Sequence, residues 1–217
     1  MRSLIVACLS SLAASVLGLL PIGTAVASRI PSPPLCTVPS PIVACPAGDV
    51  VYATIMRLID NNPIAQPDVT ISVENCSSIQ VPPVIGDEGY QVVFVPNTQT
   101  PQSFQKTGNV NGETDFAIRA GGTCPASTVK IYGDGVLVAL RALASFDQDG
   151  NLSVGPEDVA IATAKLGSSD PTADFDGDGT VTAADISILR AHLGHHAPGM
   201  ATPVASRTWG TLKITYR

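Results

Sequence analysis

The stretch that decides the architecture occurs twice, as DQDGNLSVGPED at residues 147–158 and as DFDGDGTVTAAD at residues 174–185. Positions 1, 3, 5 and 12 are Asp147, Asp149, Asn151 and Asp158 in the first copy. In the second they are Asp174, Asp176, Asp178 and Asp185. Alternate positions of a tightly curled loop point inward, so short oxygen-bearing side chains converge from one side. The twelfth residue, at the start of a helix, closes the other. This spacing suits a hard cation with roughly six to eight oxygen ligands and predicts a Ca²⁺ site in each loop. The backbone carbonyls of Ser153 and Thr180 fall at position 7, and Gly155 and Thr182 occupy the ninth, usually water-bridged, place. Gly179 stands at position 6, where the loop turns sharply. Its counterpart Leu152 lacks glycine's freedom in φ, so the first loop breaks the pattern there. A rival register with Gly150 at position 6 leaves Ser145 and Pro156 as end ligands, and proline has no side-chain donor.

The residues after each loop keep step with it. Val159, Ala162 and Leu166 precede Gly167, and Ile186, Leu189 and Leu193 precede Gly194. Apolar residues at i, i+3 and i+7 before a glycine predict two helices, each stopped by a C-terminal glycine.

Two loop-plus-helix repeats joined by the linker Ser168 to Ala173, each ending Leu-Gly, resemble a dockerin type I domain. In that family the entering helix of the EF-hand is absent and position 12 is Asp, as here. The resemblance implies calcium at both loops and a cohesin-like protein as docking partner. Family members often carry hydroxyl residues at loop positions 10 and 11 for reading the cohesin. This chain departs from that, with Pro156-Glu157 and Ala183-Ala184.

Composition agrees with a local use of charge. Of 217 residues, 14% are charged and the net charge is −6. Nine of the 18 acidic residues lie between 147 and 185, where Lys165 is the only base, so the acidity belongs to the repeat. No basic face or aromatic-interleaved basic stretch appears, which argues against nucleic acid. Residues 1–27 read as a secretory signal peptide: Arg2, an apolar run from Leu4 to Leu20, then Ala25-Val26-Ala27 as cleavage site. Ile5-Val6-Ala7-Cys8 fits a lipoprotein site superficially, but almost no hydrophobic segment precedes it. Export supports calcium binding, because extracellular calcium fills loops of modest affinity. It also implies two disulfides among Cys36, Cys45, Cys76 and Cys124, with three possible pairings; the spacings are not those of a zinc site.

The remaining chain is mainly β. Residues 28–48 are proline-rich and are expected to form an extended lead-in stapled by its cysteines. Strands are expected in Val50 to Ile59, around Val69, Ile71 and Val73, and in Val92 to Val95. Others are expected around Thr114, Phe116 and Ile118, and on either side of Gly133-Asp134-Gly135. Residues 49–143 therefore read as an antiparallel sandwich. The strand–Asp-Asn-Asn-Pro turn–strand pattern of Arg57 to Val73, and Asn111-Gly112-Glu113 leading into a strand, resemble a bacterial immunoglobulin-like domain of the invasin type. That family implies a spacer or adhesive surface without catalytic residues. The expected fold class is mainly β with a small α domain: an immunoglobulin-like antiparallel β-sandwich, then a dockerin-like pair of EF-hand-type loop–helix repeats (144–196), then a tail (197–217).

Two other groups of residues bear on other chemistries. His192, His195 and His196 could bind a transition metal, but histidines at a helix C-terminus also suit the negative end of its dipole. Paired acids such as Asp87-Glu88 or Glu113-Asp115 could in principle cut a glycosidic bond, but exposed surface charge is the ordinary explanation. The expectation is a secreted, non-enzymatic protein. Its alternatives are a structural surface protein that uses calcium for rigidity, or a carbohydrate-binding accessory of polysaccharide breakdown.

Overall fold

Alternating apolar and polar residues build most of the sheet. The computed structural model describes residues 29–82, 89–96, 98 and 100–199. The expected signal peptide, Asp87-Glu88 and all of the tail beyond Gly199 lie outside these residues. Among the described residues eight strands are present: β1 (Ile42–Ala44), β2 (Tyr52–Ile55), β3 (Asp68–Ser72), β4 (Gln91–Phe94), β5 (Pro101–Thr107), β6 (Glu113–Phe116), β7 (Cys124–Gly133) and β8 (Val136–Ser145). Two helices follow, α1 (Pro156–Thr163) and α2 (Ala183–Ala191). The chain is thus mainly β with a small helical part.

Six strands form one sheet in the order β1-β8-β7-β3-β5-β4, and β2 pairs with β6 in a second. In β3, Val69 and Ile71 are buried and Asp68 is exposed, the period-2 pattern of a half-buried strand. β7 and β8 join through Asp134 (φ 43°) and Gly135 (φ 79°), whose paired positive φ values give the two-residue hairpin turn whose twist suits the strands. Phe116 and Met56 from the β2–β6 side meet Ile71, Phe104 and Ile131 of the larger sheet in one core. Burying each such side chain contributes about 1.5–3 kcal/mol. Tyr52 stacks on Phe116 at 6.0 Å.

Three expectations need correction, and one strand has no counterpart among them. The proline-rich stretch is not a mere lead-in: β1 pairs in parallel with β8, Ile42 opposite Leu143. Arg141 holds the preceding segment by donating to the carbonyls of Pro39 (2.9 Å) and Val38 (3.1 Å). Two disulfides were expected, but only Cys76–Cys124 forms among the described residues, while Cys36 and Cys45 are free thiols. The strand β5 carries no sequence signal because only Phe104 interrupts its polar run, yet it lies between β3 and β4. The helices are also shorter than the i, i+3, i+7 reading requires. Ala162, Ile186 and Leu189 are buried, but Leu166 and Leu193 fall beyond the helix ends and are exposed.

A second core seats the helices. Phe146, Val154, Ala162, Phe175, Val181 and Leu189 pack with Cys45 and Ala144, the latter from the end of β8. Phe146 contacts Phe175 at 4.8 Å between ring centres. The residues around β1 therefore contribute to both cores, and the boundary expected near residue 144 runs through shared packing.

Candidate metal centre

The two acidic loops are built bond for bond alike. In the first, Asp147 Oδ1 accepts from the N–H groups of Gly150 (2.8 Å) and Asn151 (3.1 Å), and Oδ2 from Leu152 (2.6 Å). In the second, Asp174 Oδ1 accepts from Gly177 (2.9 Å) and Asp178 (3.1 Å), and Oδ2 from Gly179 (2.9 Å). Position 12 repeats the correspondence. Asp158 accepts from the N–H groups of Gln148, Asp149 and Gly155, and Asp185 from Phe175, Asp176 and Thr182. Both acids also stand at the third helical position and return a bond to the residue capping their helix.

Leu152 resolves the irregularity at position 6. Its φ is 66°, the left-handed conformation that Gly179 takes at 93°. An L side chain there costs roughly 1–2 kcal/mol, and the leucine offsets this by being 92% buried, its relative exposure only 8%. The retained register also pairs Gly150 (φ 78°) with Gly177 (φ 75°) at position 4. The loops then exchange partners. Val154 N–H donates to His195 O (2.7 Å) and Val154 O accepts from Gly194 (2.9 Å). Val181 makes the matching pair with Ser168 O and Gly167 N–H (2.8 Å each). Each loop thus exits against the end of the other repeat's helix.

Carboxylate oxygens of Asp147, Asp149 and Asp158 lie within 4.8 Å of one another, as do those of Asp174, Asp176 and Asp185. Ligand oxygens around one Ca²⁺ at 2.3–2.6 Å are at most about 5 Å apart, so both sets fit a single coordination shell. At position 5, Asn151 Oδ1 accepts from Ser153 N–H and Asp178 Oδ1 from Thr180 N–H, each at 2.8 Å, just as Asp149 and Asp176 accept from the N–H two residues on; the Asp178 carboxylate is not among the three gathered in the second set. Asp147, Asp158, Asp174 and Asp185 are buried, while Asp149, Asn151, Asp176, Asp178 and Thr180 face solvent and Ser153 is half-buried.

Crowding shows in the acidities. Burial pushes the Asp147 carboxyl up to about 7; the bond to Asp149 and the charge of Asp158 add to this against the opposing N–H groups. Burial also raises Asp158, outweighing its N–H donors. Asp176 is raised despite the hydrogen bond from Asp178 N–H, because desolvation and the charges of Asp185, Asp178 and Asp174 prevail. For Asp185 burial is outweighed by the N–H groups of Thr182, Asp176 and Phe175, and its acidity increases. A divalent cation would favour the ionised form of every one of these groups.

Some contributors carry no sequence signal. An added Cβ on Gly121 would lie 2.8 Å from the Asp147 carboxyl carbon, so the β body forms the wall behind that carboxylate. Gly177 similarly abuts the Ser40 carbonyl. Gln148 donates to Ser145 O (2.6 Å) and Thr172 O (2.9 Å) and accepts from Lys165, which also reaches Thr172 Oγ1 (2.7 Å). The base of the repeat therefore braces the linker between the loops. Glu113 and Asp115 are exposed on β6.

Neither a family model, nor a curated protein, nor a solved structure matches the chain.

Proposed function

We propose that this is an exported, non-enzymatic calcium-binding protein. Its dockerin-like repeat takes up two Ca²⁺ ions and in that form docks on a cohesin-like partner; its immunoglobulin-like β body serves as spacer or adhesive surface. The observation that carries the calcium reading is the residue-by-residue match of the two loops, Leu152 included, around oxygens spaced for one coordination shell. Asp147, Asp149, Asn151, Asp158 and the carbonyl of Ser153 serve the first ion. Asp174, Asp176, Asp178, Asp185 and the carbonyl of Thr180 serve the second. The docking reading draws support from exposure of Pro156-Glu157 and Ala183-Ala184 at the helix starts, open to a partner. The reading of the β body draws support from the neighbours β8-β7-β3 and β2-β6, an order compatible with the G-F-C and B-E strands of an immunoglobulin-type sandwich.

One observation favours a second role for the same ions. The helical core is completed by Cys45, Ala144 and Phe146, and the loops lie against Gly121 and Ser40. Calcium would then also lock the repeat onto the β body. A pulldown from the culture surface, in calcium and in chelator, tests both. Docking requires capture of one exported partner in calcium, lost with chelator and with Asp174→Ala plus Asp185→Ala. Calcium-dependent melting with no partner leaves only the locking role, and no response of melting to calcium overturns the calcium reading itself.

A further inference from the structure

The buried free thiol Cys45 is not isolated. Its Sγ, a carboxylate oxygen of Asp49 and a ring nitrogen each of His192 and His195 all lie within 4.8 Å of one another. His195 Nδ1 is 2.9 Å and His192 Nδ1 3.2 Å from Asp49 Oδ2, and the two Nδ1 atoms are 3.3 Å apart. Asp49 is the shared acceptor of this cluster: its carboxylate lies within hydrogen-bond distance of both imidazoles and also takes a hydrogen bond from the Cys45 thiol. A cation at the centre is attracted by all three atoms at once. Tetrahedral zinc with N, O and S donors at 2.0–2.3 Å spaces neighbouring donors about 3.3–3.7 Å apart, slightly wider than the triangle found here.

We propose that Cys45, Asp49, His192 and His195 form a zinc-type transition-metal site, separate from both acidic loops. The donors are held in place before any metal arrives. Cys45 N–H donates to Ile118 O (3.2 Å) and its carbonyl accepts from Gly48 (2.9 Å). His192 caps α2 and stacks on Phe146 at 4.1 Å between ring centres, and His195 O accepts from Val154 N–H. Cys45 closes the inner side, whereas Asp49 and His195 are more than a third exposed and leave an entry path. Four protein donors complete a tetrahedron without an open position, the arrangement of a structural zinc. The ion would tie the segment after β1 to the end of α2, 143 residues away. His196 takes no part, since its Nδ1 contacts Gly194 O at 3.0 Å.

The test is zinc titration of the purified full chain under reductant and in excess calcium, so that the acidic loops are filled, with cobalt as a spectroscopic substitute. One equivalent of zinc should bind. The cobalt form should show tetrahedral d–d bands and a thiolate-to-metal charge-transfer band. Cys45→Ser and the rim variant His195→Gln should each weaken binding by more than the roughly 10- to 100-fold that losing an outer partner costs. If Cys45→Ser impairs folding, the rim variant decides alone, with calcium-dependent melting as its check on the fold. Absence of saturable zinc binding, a cobalt spectrum without the thiolate band, or binding lost only with His196→Gln would each overturn the site. None of these outcomes depends on whether calcium docks a partner.

Discussion

Gly121→Ala probes the proposed first calcium site without changing any residue proposed to bind the ion. The backbone of Gly121 is not in the left-handed region, so alanine is tolerated there on conformational grounds and gains roughly 0.4–1 kcal/mol from the unfolded chain. Its Cβ, however, would stand 2.8 Å from the Asp147 carboxyl carbon and closer still to Oδ2. Carbon atoms pack no closer than about 3.5 Å, so the carboxyl must retreat by at least about 0.7 Å. That stretches the 2.6 Å bond from Leu152 N–H to about 3.3 Å, longer than the usual range of about 2.7–3.2 Å, and exceeds the roughly 0.2 Å tolerance of a metal ligand. A charge-assisted bond is worth about 1.5–3 kcal/mol, which corresponds to about a 10- to 150-fold weaker first site. Calorimetry with Ca²⁺ reads this directly, because the second loop is an internal control: one binding step should weaken and the other should stay. An isotherm superimposable on that of the unaltered chain would refute the placement of Asp147 as a ligand against that wall.

Three other outcomes are expected. Because the folded carboxyl of Asp147 is raised to about 7 from 3.8, its contribution to the metal-free fold is fully present below about pH 4 and is lost as pH rises through 7. Melting of the calcium-free chain minus that of Asp147→Asn should therefore fall by a few kcal/mol across this window, while calcium affinity at the first site should rise over it. Replacing Cys76 and Cys124 by serine opens a covalent loop of 48 residues and should lower stability by about 4 kcal/mol, read as a shifted urea midpoint in non-reducing buffer. Phe146→Ala empties the space between Phe175 and His192 and should cost about 3–5 kcal/mol, measured in calcium by denaturant unfolding.

Much of the repeat was legible because its signals are local. The spacing of the acids, helix starts and the glycines at 167 and 194 all depend on residues within one turn or loop, and the alternation of Val69 and Ile71 exposes β3 in the same way. The strand β5 was illegible because its place between β3 and β4 comes from pairing, with backbone bonds that any side chain permits. Leu152 misled for a related reason: a local rule priced its positive φ, and burial available only in the folded chain offset it.

By itself, then, the sequence determined a β-rich body followed by two like-built acidic loops, because periodicity and loop spacing act over a few residues. Tertiary structure alone decided which cysteines meet, that the proline-rich segment contributes a short strand and core residues, and that Gly121 backs Asp147. It also decided that Cys45 and Asp49 converge on His192 and His195. Those are contacts between residues 26 (121 to 147) and 147 (45 to 192) positions apart, and nothing in either partner's neighbourhood along the chain records the other.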